Sequence, residues 1–169
     1  MRMSGRARAG FIFAAIAFAA AGAAAVAQDA SPCRSAQTAG PVPVRVRAPA
    51  EVLKLRIADT PSKREYGLMC VRALPPHTGM IFVFSDGDNY RDFWMKNTLI
   101  PLDMVFVSKN GRVNDVRANV PATTVDTPDE KIPHRDGTGV YVIELAAGEA
   151  ARAGIKPGTM LDVSALRPL

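Results

Sequence analysis

The chain has 169 residues, of which 48% are hydrophobic and 22% are charged, and its formal net charge is +5. This length suits one domain with a packed core and is too short for two full domains. Much of the positive charge lies at the start, since removing Arg2, Arg6 and Arg8 leaves 18 basic and 16 acidic residues. The remaining net charge of about +2 is too small to indicate nucleic acid as a partner.

The first 27 residues have the three-part pattern of a secretory signal peptide. A basic start, MRMSGRARAG, leads into the apolar run FIFAAIAFAAAGAAAVA, in which Ala25 and Ala27 provide the small residues of a cleavage site. We expect cleavage before Gln28 and an exported product, periplasmic or secreted, without a stable membrane span. A single-pass anchor is the weaker alternative, because the alanine-rich run falls short of the ~20 strongly apolar residues that span a bilayer. Pro32, directly before Cys33, argues against a lipoprotein.

Two cysteines, Cys33 and Cys70, remain after cleavage at that site. An exported protein passes through an oxidising compartment, where one disulfide can form between them. The alternative is a buried Cys70 and a free Cys33 in a disordered tail. The sequence does not give the distance between the two thiols, so both interpretations stay open.

After the leader, residues 28–41 are small, polar and proline-bearing, which predicts a flexible tail before a single domain at 42–169. The segments VPVRVR and EVLKLRIA alternate apolar and polar residues and predict two strands joined by a turn at residues 48–50. Thr60 followed by Pro61 predicts the start of a short helix that runs through TPSKREYGLMCV.

Strand character returns in GMIFVF and RDFWM, which the turn signal SDGDN separates. PLDMVFVS and RVNDVRAN predict a hairpin in which Asn110 and Gly111 supply the positive φ angles of a tight primed turn. The proline- and glycine-rich stretch at 120–139 predicts a long loop. VYVIEL predicts a buried strand, GEAARAGI a short helix, and TMLDVSAL the last strand.

Together these elements predict a mainly β fold, namely a single antiparallel β-sandwich or flattened barrel with two short helices. No strand alternates with a long helix, which argues against a parallel Rossmann-type sheet.

The most informative segment runs from Arg91 to Phe106, where polar residues interrupt an aromatic and methionine-rich sequence. Its central residues are Trp94, Lys96, Asn97, Thr98 and Asp103. Burying such polar groups is unfavourable unless they hydrogen-bond to one another or to a ligand. We therefore expect either a binding site or an internal polar network here.

Glu144 interrupts the apolar strand VYVIEL, and the alternation of the strand does not decide whether its carboxylate faces solvent or points inward. Pointing inward, Glu144 would pair with Arg64 or Lys96. Together with Asp103, it is also the acid or base that a hydrolase-type enzyme would use.

The sequence contains no standard catalytic motif, and its two histidines, His77 and His134, are too few for a multi-histidine zinc site. We therefore expect no cofactor and no metal ligands, with one alternative. Met69, Met80 and Met95 are soft thioether donors of the kind that suits copper in an exported protein. Methionines more commonly fill irregular core space beside aromatic rings.

Four motifs occur in a fixed order: REYGLM at 64–69, GMIFVF at 79–84, FWMKNT at 93–98 and PLDMVF at 101–106. Together they resemble the family called domain of unknown function 192, over about residues 44–166. The resemblance implies a compact, mainly β domain, often exported in bacteria, without an established activity. It also implies shared polar positions at Arg64, Lys96, Asn97, Thr98, Asp103 and Glu144.

Three classes of function follow from these residues. The first is a non-catalytic module that binds a small polar ligand, such as a carbohydrate, or contacts a protein. Its binding residues would be Arg64, Trp94, Lys96, Asn97, Thr98, Asp103 and Glu144. The second is a structural network in which the charged members of this set satisfy one another without a ligand. The third is an enzyme that uses Asp103 or Glu144, which the lack of a catalytic motif makes least favoured.

Overall fold

The computed structural model describes Cys33 and residues 43–166. Its strands are β1 (Val44–Arg47), β2 (Val52–Ala58), β3 (Thr78–Val83), β4 (Asn89–Trp94), β5 (Leu102–Val107), β6 (Val113–Val120), β7 (His134–Gly139) and β8 (Tyr141–Ala146). The α-helices are α1 (Pro61–Tyr66) and α2 (Glu149–Arg152), and a 3-10 turn covers Asp129–Lys131. Neither described helix is long and apolar enough to cross a membrane. The expected signal peptide and most of the expected tail lie outside the described residues.

Six strands form one sheet in the order β1-β2-β3-β8-β5-β6, and β4 and β7 form a second, two-stranded sheet. Every pair is antiparallel except β2 and β3, which run parallel because the segment containing α1 returns the chain to the same end of the sheet. The small sheet packs on one face of the large one through ring contacts such as Phe93 with Phe106. The domain is therefore mainly β and sandwich-like, with two short helices, as predicted, and it is not a closed barrel.

Two hydrophobic cores lie on the two faces of the large sheet. Ile81, Ile143 and Val105 neighbour one another across β3, β8 and β5 and belong to the first core, which α2 and the C-terminal segment also line. We call it the α2 core. Phe82 and Phe106 lie on the other face, in what we call the β4–β7 core. Because the central strands are buried on both faces, their sequences are almost continuously apolar.

Helix α1 begins as predicted, with Thr60 as its N-cap and Pro61 in the first turn. Thr60 Oγ1 accepts a hydrogen bond from the Lys63 N–H at 3.3 Å. The helix is shorter than predicted because Gly67, with a φ of +50°, ends it. Residues 67–70 form turns instead of continuing the helix.

The predicted β5–β6 hairpin is present, but its turn differs from the predicted primed turn. Gly111 has a φ of +89°, whereas Asn110 is not among the residues with positive φ. The Ser108 carbonyl accepts a hydrogen bond from the Gly111 N–H at 2.9 Å, and the Ser108 N–H donates to the Arg112 carbonyl at 2.8 Å. The loop is therefore of the longer hairpin type, with glycine alone in the left-handed position.

The last six residues of the predicted 120–139 loop form strand β7, which corrects the sequence interpretation. Its sequence, HRDGTG, contains no large apolar residue, so the alternation that predicts a strand is absent. The strand instead pairs with β4 along its whole length. Gly137 allows this close packing, since a Cβ there would lie 2.4 Å from the Phe106 ring.

The predicted last strand, TMLDVSAL, is wrong. Met160 and Asp162 make isolated bridges to Arg112 and Arg47, and no strand forms in this segment. Leu161 and Leu166 are nevertheless buried in the α2 core. The apolar residues of the segment therefore contribute packing without a strand ladder.

Candidate functional site

A cleft opens between the end of α1 and the segment that follows β4. Five of the seven predicted binding residues line it: Arg64, Trp94, Lys96, Thr98 and Glu144. Residues 65–69, Phe82 and Phe93 provide the rest of its wall. Its inner space is about 20 Å³, which suits one water-sized group such as a hydroxyl. The rest of a larger ligand would lie at the mouth of the cleft.

Glu144 is the buried carboxyl group of this cleft. It neighbours Met80 on β3 and Met104 on β5, so its side chain lies on the same sheet face as the β4–β7 core. The residue is 5% exposed. No hydrogen bond within the described part of the chain involves its carboxyl group, and burial raises the pKa of Glu144 from 4.5 to about 8. The carboxyl group is therefore mostly protonated at neutral pH.

Trp94 and Lys96 are two solvent-accessible residues of the cleft. Trp94 is 41% exposed, and Lys96 Nζ lies 5.2 Å from the centre of its ring, within the range of a cation–π interaction. Lys96 Nζ also donates to Asp129 Oδ1 at 3.1 Å, and the Asp129 side chain is 77% exposed. Such an exposed ion pair contributes only ~0–1 kcal/mol, so an anionic ligand could compete for Lys96.

Arg64 and Thr98 make hydrogen bonds to the backbone. Arg64 Nη1 donates to the carbonyl groups of Asp59 and Val83, each at 2.9 Å. Thr98 Oγ1 donates to the Lys96 carbonyl at 3.2 Å. Arg64 therefore joins α1 to the ends of β2 and β3 by hydrogen bonds, and it also lines the cleft.

Asn97 shapes the turn after β4 and does not line the cleft. Its φ is +51°, a conformation that asparagine adopts more readily than most residues. Its carbonyl accepts a hydrogen bond from the Cys70 N–H at 2.8 Å. Cys70 forms a disulfide with Cys33, with the two Cα atoms 5.2 Å apart. Asn97 thus connects the turn after β4 to the disulfide-bonded segment after α1.

Asp103 lies on the opposite face of the sheet from Glu144. It pairs with Leu145, points into the α2 core and is 1% exposed. Its Oδ1 accepts a hydrogen bond from the Asn119 N–H at 2.9 Å, and its Oδ2 accepts one from the Ala150 N–H at 3.0 Å. Asp103 therefore joins β5 to β6 and to the first turn of α2, away from the cleft.

These positions correct two of the sequence alternatives. The predicted network of Arg64, Lys96, Asp103 and Glu144 does not form, because none of these four side chains bonds to another among the described residues. The predicted pairing of Glu144 with Arg64 or Lys96 is likewise absent. The sheet itself separates Asp103 from Glu144, so the two carboxyl groups cannot act together on one bond.

The three methionines considered as copper ligands are divided between core and cleft. Met80 and Met95 are 2% and 0% exposed and pack in the β4–β7 core. Met69 lines the cleft. Cys70 provides no thiolate to them because it is oxidised. Core packing accounts for Met80 and Met95.

Sequence interpretation missed two aromatic residues of the wall, Tyr66 and Phe93, and the acidic partner of Lys96. Phe93 makes an edge contact with Phe82 at 4.9 Å between ring centres. The position of Phe93 next to Trp94 in the sequence was the local indication that it belongs to the cleft wall. Asp129 lies 33 residues after Lys96, and nothing local in the sequence connects the two.

The chain belongs to the DUF192 family, described as uncharacterized ACR, whose family model matches residues 42–163. This match confirms the resemblance that the ordered motifs indicate. No curated protein matches the chain. The family therefore establishes what kind of domain this is and supplies no activity.

Two solved structures resemble this one. A protein from Sinorhizobium meliloti 1021, described as a candidate transcription regulator, is 32% identical with a TM-score of 0.64, over 75% of this chain and 99% of that one. A protein of unknown function from Novosphingobium aromaticivorans DSM 12444 is 33% identical with a TM-score of 0.59, over 75% of this chain and 94% of that one. Both comparisons support the described fold across almost the full length of the other protein.

Asp103→Ala should destabilise the fold by about 2–4 kcal/mol, because the buried Ala150 N–H and the partly buried Asn119 N–H would lose their carboxylate acceptor. Urea unfolding followed by circular dichroism measures the change. Asp126→Ala is the matched control, since that side chain is exposed and its removal should change stability by less than ~0.5 kcal/mol. Equal effects of the two substitutions would contradict the structural role of Asp103.

Glu144 should make the wild-type protein less stable as pH rises from about 4.5 to about 8, because the folded state keeps a proton that the unfolded state loses. The loss is at most about 5 kcal/mol and stops above the folded pKa. Glu144→Gln cannot ionise, so unfolding at a series of pH values should show it progressively more stable than the wild type across this window. Glu130→Gln, at an exposed site, should show the same dependence of stability on pH as the wild type. A Glu144→Gln profile parallel to that of the wild type would refute the prediction.

Proposed function

We propose that this protein is a non-catalytic binding module that holds a small hydroxyl-rich ligand, such as a sugar, in the cleft that Glu144 lines. The observation that carries this proposal is the Glu144 carboxyl group, which lies in the wall of a water-sized space and whose pKa is raised by burial. Burial makes its charged form costly, and a group bound in this space would be its hydrogen-bond partner. A ligand hydroxyl suits it, because a protonated carboxyl group and a hydroxyl each donate and accept.

Trp94 and Lys96, which are accessible to solvent in the cleft, support the same class of ligand. The Trp94 ring is exposed enough to stack on the flat face of a sugar, with the polar edge of the ligand left for hydrogen bonds. Lys96 would favour a ligand that carries a carboxylate, because its present partner Asp129 is held only by an exposed ion pair. We therefore propose acidic sugars, such as uronates, as the preferred ligands.

Trp94 is the single tryptophan of the chain, so its fluorescence reports directly on the cleft. Titration with glucuronate should give a saturable change in the wild type, and titration with glucose a weaker one. Lys96→Ala should remove the preference for glucuronate, since it removes the charge that the carboxylate meets. Glu144→Gln should lower the affinity for both sugars about 10-fold or more, because one hydrogen bond of the buried acid is replaced.

Lys131→Ala is the matched control for Lys96→Ala, because Lys131 is an exposed lysine beside Asp129 and outside the cleft wall. It should bind both sugars like the wild type. The proposal fails if neither sugar gives a saturable change in the wild type. It also fails if Lys96→Ala and Glu144→Gln bind both sugars with wild-type affinity.

We also propose that the protein acts outside the cytoplasm after loss of its first 27 residues. The leader pattern supports export, and the Cys33–Cys70 disulfide suits an oxidising compartment. Intact mass of the protein from the periplasmic fraction of a Gram-negative host should correspond to a chain that begins at Gln28. Ala25→Arg should block this cleavage, whereas Val26→Ser should allow it. A periplasmic product that retains the leader would contradict the proposed processing.

A further inference from the structure

A second group of chemically active side chains lies at a different place in the fold from the cleft. Glu51 precedes β2, His77 precedes β3, and Glu149 begins α2. One potential ligand atom from each of the three lies within 4.8 Å of the other two. We infer that Glu51, His77 and Glu149 bind a divalent transition-metal ion, with zinc as the best match.

One distance between these atoms is close to that of a metal site. His77 Nδ1 lies 3.4 Å from Glu149 Oε1. Neighbouring ligand atoms of a tetrahedral zinc site are ~3.4 Å apart, given zinc–ligand bonds of about 2.0–2.2 Å. Glu51 Oε2 also contacts the same nitrogen. An ion held between Glu51 and His77 would replace this direct contact, and the two side chains would move apart to coordinate it.

Glu51 supplies an independent reason to place a cation here. Its Oε1 is buried and has no hydrogen-bond partner within the described part of the chain. Its side chain is 14% exposed, and that of Glu149 is 4% exposed. Arg152 donates a hydrogen bond to Glu149 Oε2, so the charge of Glu149 is already paired. The ion-pair partner of Glu51 in the described part of the chain is His77. A metal ion coordinated by Glu51 would compensate the buried carboxylate oxygen that the protein alone leaves unsatisfied.

Backbone hydrogen bonds hold the three segments together without the ion. The His77 N–H donates to Glu149 Oε1 at 2.9 Å, and the His77 carbonyl accepts from the Lys54 N–H at 2.8 Å. The Ala50 N–H donates to the Ala153 carbonyl at 3.1 Å, which joins the turn before β2 to the end of α2. The ligands are therefore positioned before the metal arrives, and binding requires small side-chain movements.

The ligand set favours zinc over magnesium or calcium. Imidazole nitrogen suits zinc and its neighbours in the transition series, whereas magnesium and calcium prefer oxygen ligands throughout. The His77 side chain is 53% exposed, so solvent reaches the site and water can complete the coordination. Three protein ligands and one open position are the arrangement expected of an accessible zinc site.

The test is metal binding by the purified full-length protein, treated first with a chelator. Isothermal titration with zinc should give one site, and zinc should raise the Tm on heating. Magnesium at the same concentration should give no rise. His77→Asn should weaken zinc binding at least 10-fold while keeping the backbone, since asparagine tolerates the φ of +61° at this position. Glu51→Gln provides a second variant of unchanged size that should weaken zinc binding similarly.

His134→Asn is the matched control, because His134 is the other histidine, is about as exposed as His77 and bonds to a single carboxylate, Asp92. It should bind zinc like the wild type. The inference is overturned if the wild type binds no zinc, or if His77→Asn and Glu51→Gln both retain wild-type affinity. It is also overturned if His134→Asn removes the binding, or if magnesium raises Tm as much as zinc does.

Discussion

Strand β8 is buried on both faces, and its pairing with β3 and β5 fixes the placement of both buried carboxyl groups of the central sheet. Because side chains alternate between faces, Glu144 enters the side of the sheet that β4 and β7 cover. Asp103, on the neighbouring strand, enters the opposite side for the same reason. A register slip of one residue in either strand would move the carboxyl group of that strand to the other face, which burial of both faces strongly opposes.

The two carboxyl groups consequently have different physical roles. Asp103 accepts hydrogen bonds from two backbone N–H groups and joins three elements of the fold. Glu144 has no such partners among the described residues and borders a space of about 20 Å³ beneath Trp94 and Lys96. A carboxylate that accepts backbone hydrogen bonds stabilises the fold, whereas a carboxyl group that faces a cleft can hydrogen-bond to a ligand. This contrast is the physical basis for placing the binding site at Glu144 and not at Asp103.

The sequence predicted the apolar strands, and five of the seven predicted binding residues line the cleft, because alternation and ordered motifs are local properties. It did not predict β7, since HRDGTG has no large apolar residue and depends on its partner strand and on Gly137 against Phe106. It grouped Asp103 with Glu144 because strands buried on both faces do not reveal which way a polar side chain points. Nor could it bring Glu51, His77 and Glu149 together, since they come from three separate segments.

The central claim is that the Glu144 carboxyl group is buried and protonated at neutral pH beside an open cleft. Carbon-13 NMR of protein labelled at the glutamate carboxyl groups, with Glu144→Gln used to assign the signal, measures its titration directly. The Glu144 signal should titrate near pH 8, well above the ordinary range of a glutamate, and glucuronate should shift it. A Glu144 signal that titrates near the ordinary 4.5 would contradict the account.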